Sequence, residues 1–296
     1  MNPYTRIIED LARNVREAQS CPLGEEDIPI PEDHSGRPKA LVFSPHPDDE
    51  CVIGALALRL VREMNMNVIN VAVTQGSKPE RKTDRLAELQ NACNYLGFGL
   101  VQTGKNGMEN INSDTRKDDS EHWTFAVDIV RSILEANAPE IIFLPHEHDW
   151  HPTHIGTHRL VLDALRHYGD DIDLWTVETE FWGQMNRPNV MIESSVQDVT
   201  DLVTALTFHV GEVERNPYHV RLPAGMIDNV RRGAELIGGK GGPAPDFVFA
   251  TLYRIRQWHN GELRDVFDDG RFVSQTDAIG DLFSAAEPLE TADPAS

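Results

Sequence analysis

Ala40-Leu41-Val42-Phe43-Ser44-Pro45-His46-Pro47-Asp48-Asp49-Glu50 runs from an apolar stretch directly into a turn that carries one imidazole and three carboxylates. Cys51 to Arg62 then reads as a helix, so the quoted segment is a strand, a turn and a helix start. Open α/β sheets bind ligands outside the carboxyl ends of their strands. A second place of the same kind follows Ile141-Ile142-Phe143-Leu144-Pro145, where the chain reads His146-Glu147-His148-Asp149-Trp150-His151-Pro152-Thr153-His154.

Working outward, apolar runs at 40–44, Val68 to Val73, Leu100 to Gln102 and Glu140 to Leu144 alternate with helix-capable segments. That alternation predicts a parallel sheet with crossover helices, an α/β fold. If the first four strands take the order 3-2-1-4, strands one and four are neighbours at a topological switch point and both turns open into one crevice. Helices are predicted over 80–96, with Gly97 as the stop, over 119–137, over His154 to Tyr168 and over Val199 to Val213. Further strands are predicted at Leu174 to Trp182, Val190 to Glu193 and Phe247 to Trp258. Gly238 to Pro243 reads as a loop, either a surface linker or a catalytic lid.

The expected organisation is an N-terminal helix and linker at 1–38, one α/β domain at 39–275 and an acidic tail at 276–296 that frays. The helix over 4–19 should pack on the core from outside through Ile7, Ile8, Leu11, Ala12 and Val15.

Composition removes several classes of function. Of 296 residues, 48 are acidic and 27 basic, for a net charge of −21, which opposes binding to nucleic acid or to anionic membranes. Cys21, Cys51 and Cys93 are odd in number and form no C-x-x-C pair, so neither a disulfide framework nor a thiolate zinc site is indicated. A reducing, cytoplasmic setting is expected. No apolar run approaches the roughly 18 residues of a membrane span. No G-x-G-x-x-G or G-K-[ST] follows the first strand, which argues against a nucleotide site. A small-molecule partner fits this balance, and a homo-oligomer is left open.

Catalytic zinc takes three ligands from His and carboxylate and keeps one position for water. His46, Asp49 and one histidine of the second cluster would suffice, with His154 the choice and His146, His148 or His158 the alternatives; His154 and His158 also have the i, i+4 spacing of helical metal sites. Asp48 would be free to take a proton from the activated water, and His151 could stabilise an oxyanion. The competing reading is that Asp48 or Asp49 only caps a helix, accepting unpaired backbone N–H groups.

Pro45-His46-Pro47-Asp48-Asp49-Glu50 together with His151-Pro152-x-His154 resembles the PIG-L/LmbE family of metal-dependent N-deacetylases, over roughly residues 38–210. The resemblance implies a Rossmann-like fold, a mostly parallel sheet with helices on both faces and added C-terminal strands. It implies a hydrolase that binds Zn2+, or Fe2+ or another divalent metal, and removes the acetyl group from an N-acetylated amino sugar or its glycoside. By matching positions, His46, Asp49 and His154 would be metal ligands, Asp48 the general base and His151 the oxyanion-stabilising or proton-donating residue. Arg85, in an Arg-x-x-Glu motif, would reach the sugar; its alternative is an ordinary i, i+3 pair with Glu88. The chain departs from the family at Thr153, which stands where an acid would orient His151, with Asp149 as a substitute, and at Gly104 to Met108, where an acidic sugar contact is expected. Alternative activities are cleavage of a larger amide conjugate, or metal-dependent sugar binding without catalysis.

Overall fold

In a computed structural model, residues 2–284 are described except 31, 170, 171, 182 and 240. The elements in chain order are α1 (Pro3–Ala18), β1 (Lys39–Ser44), α2 (Asp49–Val52), α3 (Ala55–Met64), β2 (Asn67–Ala72), α4 (Lys82–Leu96), β3 (Gly99–Gln102), α5 (Ser113–Asp118), α6 (Ser120–Asn137) and β4 (Ile141–Pro145). They continue with α7 (Pro152–Tyr168), β5 (Leu174–Thr179), β6 (Val190–Ser194), α8 (Val196–Thr207), α9 (Val210–Arg215), α10 (Tyr218–Leu236), β7 (Phe249–His259), β8 (Glu262–Asp265) and β9 (Arg271–Val273).

One sheet runs β3-β2-β1-β4-β5-β7-β6-β9, with β8 paired to β7. The strands β3, β2, β1, β4 and β5 are parallel, whereas β7 lies antiparallel between β5 and β6. The order 3-2-1-4 is therefore present, and the C-terminal strands extend the sheet from β5. Successive residues of a strand face opposite sides, which divides the apolar residues between two cores. Ala40, Val42 and Phe143 pack with Leu56, Leu60, Leu89 and Leu202 on one face. Leu41, Phe43, Ile142 and Leu144 pack with Val127, Val130, Leu160 and Val161 on the other. Buried on both faces, β1 and β4 read as unbroken apolar runs, as interior parallel strands do.

Three segments differ from the sequence expectation. The predicted Val199 to Val213 helix is two helices, interrupted at His209, whose φ −81°, ψ 59° is not helical. The 19-residue α10 was not expected at all, because Pro223 lies inside it and such a residue reads as a break. The N-terminal helix forms, yet none of its residues is buried and Tyr4, Ile7, Ile8 and Leu11 are exposed. Leu23 and Ile28 of the following linker touch the core instead, and His219 Nε2 lies 3.1 Å from the Ala18 carbonyl.

Of the expected tail, Ile279–Phe283 form a 3₁₀ turn with Ile279 and Leu282 buried, and residues 285–296 lie outside the described residues, as do Lys240 of the glycine-rich loop and Trp182. Among the described residues no helix is long and apolar enough to cross a membrane.

Candidate active site

The turn after β1 is tight. Asp48 takes φ 111°, ψ −25°, a backbone conformation that strains any residue but glycine. Its backbone N–H is held at 3.0 Å by Glu50 Oε2. The Asp48 side chain makes no cap bond to α2, so the helix-capping alternative does not describe it. Burial, then the neighbouring charge of Asp49, pushes the Asp48 carboxyl well above the usual carboxylate range, with Arg85 opposing.

Asp49 differs from its neighbour. Burial pushes its carboxyl up, but the His154 and His46 imidazoles and the His46 backbone N–H, 2.8 Å from Oδ2, outweigh burial and lower it. His46 Nδ1 stands 3.4 Å from Asp49 Oδ2, His154 Nε2 stands 3.5 Å from the same oxygen, and the two nitrogens face each other at 3.2 Å. Ligand atoms about 2.0–2.1 Å from a tetrahedral zinc lie about 3.3–3.4 Å apart. The triangle thus has the dimensions of one face of a zinc tetrahedron, and its donor set of two imidazoles and one carboxylate suits a divalent metal.

His154 is prepared by its partner. Asp149 Oδ2 lies 3.3 Å from His154 Nδ1 and takes its proton in a hydrogen bond, leaving Nε2 with a free lone pair. Asp149 is itself fixed by the backbone N–H groups of His151, 2.8 Å from Oδ1, and of Gly183, 3.1 Å from Oδ2. It therefore orients His154 and the main chain of His151, not the His151 ring.

The His151 ring is oriented by its own helix. His151 is the N-cap of α7, and its Nδ1 accepts the Thr153 backbone N–H at 3.3 Å. Burial first, then the nearby His46 and His154, lowers its pKa, so the ring is neutral and carries its proton on Nε2. Its ligand-type nitrogen falls within a 4.8 Å group with those of His46 and His154. That looser group omits Asp49, whose 3.4 and 3.5 Å distances fit a shared ion better, and it leaves His151 beside the triangle as a hydrogen-bond donor.

The other histidines of the second cluster are engaged elsewhere. His146 Nε2 bonds the Gly183 carbonyl at 2.9 Å, His158 Nδ1 bonds the Pro145 carbonyl at 2.8 Å, and the His148 side chain is exposed beside Glu147. None of them reaches the triangle. Arg85 points its Nη2 to the Pro47 carbonyl at 2.9 Å, passing Gly76, where a Cβ would fall 2.1 Å from Nη1. Glu88 instead meets Arg81 at 3.2 Å, so the i, i+3 pair with Arg85 is replaced by this contact.

His209 is a residue the sequence reading missed. Buried between α8 and α9, it places Nε2 2.6 Å from Glu50 Oε1, which also accepts the Cys51 thiol at 3.2 Å. Burial and the Glu50 charge push the Cys51 thiol up, so Cys51 enters this contact as a thiol donor rather than as a thiolate.

Two cavities meet at Asp48 and Tyr218. One, of about 670 Å³, is lined by His46, His151, Lys78, Arg85, Glu212 and Trp150. The other, of about 260 Å³, is lined by Asp49, Val52, Phe181, Leu206, Leu222 and Met226.

Solved structures share this architecture. A conserved protein, TT1542, from Thermus thermophilus is 19% identical with a TM-score of 0.51, over 73% of this chain and 93% of that one. N,N'-diacetylchitobiose deacetylase from Pyrococcus horikoshii is 17% identical with a TM-score of 0.53, over 88% and 94%. GalB, the 4-carboxy-2-hydroxymuconate hydratase from Pseudomonas putida, is 15% identical with a TM-score of 0.53, over 74% and 95%. At these identities the likeness is one of fold, and it spans two different reactions. No curated protein sequence matches the chain. Residues 41–165, which carry both motifs, match the family model described as PIG-L, GlcNAc-PI de-N-acetylase.

Proposed function

We propose that the protein is a metal-dependent hydrolase that cleaves the amide of an N-acetylated amino sugar or its glycoside, giving the free amine and a carboxylate. The observation that carries this reading is the triangle of His46 Nδ1, Asp49 Oδ2 and His154 Nε2 at 3.2 to 3.5 Å, adjoining a buried carboxyl that makes no cap bond. The similar fold of a diacetylchitobiose deacetylase supports it.

His46, Asp49 and His154 would hold the divalent ion, zinc by the choice of donors. When bound, such an ion polarises a carbonyl and lowers the pKa of water to about 7. Asp48 takes the proton of the attacking water, a task suited to a carboxyl whose burial favours its protonated form. His151 donates Nε2–H to the carbonyl oxygen as negative charge develops there. Collapse of the tetrahedral carbon breaks the C–N bond, and the proton held by Asp48 passes to the departing nitrogen. Atoms balance as amide plus water to acid plus amine.

The larger cavity suits the sugar. Lys78, Arg85 and Glu212 offer polar partners for hydroxyls, while the exposed Trp150 offers an apolar face to ring C–H groups. Release of acetate from a panel of N-acetylated sugars by the zinc-loaded protein tests the reading. Absence of release from every member, with zinc bound, would replace it by the binding-only alternative.

A further inference from the structure

We infer that the 260 Å³ cavity is an acyl chamber, and that the protein accepts, beyond acetyl, straight aliphatic acyl groups of roughly six to ten carbons on the sugar nitrogen. The inference rests on the deacylase reading and extends it to the other half of the amide. A carbonyl carbon attacked beside Asp48 has one substituent on each side, and the two cavities that meet at Asp48 differ in chemistry. Charged residues dominate one; Val52, Phe181, Leu206, Leu222 and Met226 line the other. A hydroxylated amine fits the first and a hydrocarbon the second.

Size points the same way. A dry apolar cavity of about 150 Å³ takes up benzene, six carbons, whereas an acetyl group brings a single methyl. A chamber of about 260 Å³ is far larger than that methyl requires. Its floor is buried, formed by Asp48, Leu206, Met226 and Thr251, and its mouth is marked by the exposed Gln184, Arg221 and Gly225. Of the charged residues in its wall, Arg232 bonds Glu180 through Nη1 at 2.9 Å and Nη2 at 2.7 Å, and Arg221 and Asp228 line it beside them.

Gly225 gives a clean test. Gly225 lines the chamber's mouth, and a Cβ at this position meets no atom within 4 Å, so a phenylalanine there adds bulk at the mouth without displacing backbone, and glycine is the weaker helix former. The experiment measures kcat/KM of the zinc-loaded full chain on N-acyl glucosamines from acetyl to decanoyl, and calorimetric binding of acetate and octanoate, for the native protein and Gly225→Phe. The expected result is a rise of about three- to fourfold per added methylene until the chamber is full. Octanoate should bind more tightly than acetate, and the octanoyl-to-acetyl ratio should fall tenfold or more in Gly225→Phe. Acetyl preferred over all longer groups, or a length preference unmoved by Gly225→Phe, would overturn the chamber. If octanoate binds in a Gly225-sensitive way but no N-acyl sugar is cleaved, the deacylase reading fails and the chamber stands; if acetyl glucosamine is cleaved and octanoate does not bind, the reverse holds.

Discussion

His209 Nε2 and Glu50 Oε1, 159 residues apart in the chain, meet at 2.6 Å in a fully buried contact. Through the other oxygen of the same carboxylate this contact reaches the Asp48 backbone N–H, so a loop between two C-terminal helices steadies the strained turn that carries Asp48, the proposed base. Replacing His209 with Ala leaves a buried carboxylate short of a donor, at a cost of about 1–3 kcal/mol or more. The expected outcome is a lower urea midpoint and a kcat reduced more than KM is raised. An unchanged kcat in a folded His209→Ala protein would show that the turn needs no such support.

Asp48 and its neighbour should separate in their effects. Asp48→Asn is expected to lower kcat by about 10²–10⁴-fold with zinc content unchanged. Asp49→Ala and His154→Ala should lose the metal itself, read by elemental analysis after gel filtration. A zinc-replete, inactive Asp49→Ala protein would contradict the assignment.

On the proposed reading, Asp149 would act on the metal through His154, whose Nδ1 it contacts. Orienting partners of this kind typically alter metal affinity by about 10–100-fold. Asp149→Ala should weaken zinc binding by that factor in competition with a chelator. Thr153→Ala is the matched control, since Thr153 meets the site through its backbone N–H, which the substitution keeps.

A pH effect is expected at Asp163. Burial raises its carboxyl, but Arg116, bonded at 2.7 and 3.0 Å, and Trp123 Nε1, at 2.9 Å, outweigh burial and lower it. A depressed folded-state pKa contributes stability that is fully present above the unfolded value of about 3.9 and lost as pH falls through the folded value. Asp163→Asn should therefore reduce the melting temperature at pH 6 and flatten its decline between about pH 4 and pH 2. Parallel melting curves for the two proteins across that range would refute the linkage.

The thiols should divide one to two. Cys21 is exposed, whereas Cys51 and Cys93 are buried with their pKa values pushed up by burial. A thiol reagent should titrate one equivalent in the native protein and three after denaturation.

The sequence carried the strands of the parallel half and the two turns because each rests on short-range patterns, whereas the order 3-2-1-4 was an assumption that only the long-range pairing could test. β1 and β4 are unbroken apolar runs, and each ends directly in its cluster of ligand-type residues. The choice among the histidines was not settled by spacing, since it depends on which rings the backbone of the turn already uses: His146 and His158 are spent on the carbonyls of Gly183 and Pro145. His209 left no signal, because a lone histidine inside an apolar helical pattern does not announce a break. The wall supplied by α10 was hidden by Pro223, which the helix tolerates within its first two turns. Nor could periodicity reveal that the apolar stripe of α1 faces away from the core, since it reports a face without naming what lies opposite.

His46, Asp48, Asp49, His151 and His154 all lie within 41–165, while Leu206, Leu222, Met226 and Thr251 come from beyond it. Apart from Val52, the apolar lining of the smaller cavity thus comes from a different stretch of polypeptide than the proposed reactive groups. On the proposed reading, variation downstream of Leu165 would retune acyl selectivity while the proposed reactive groups stay untouched, and chimeras joined near that boundary would test it.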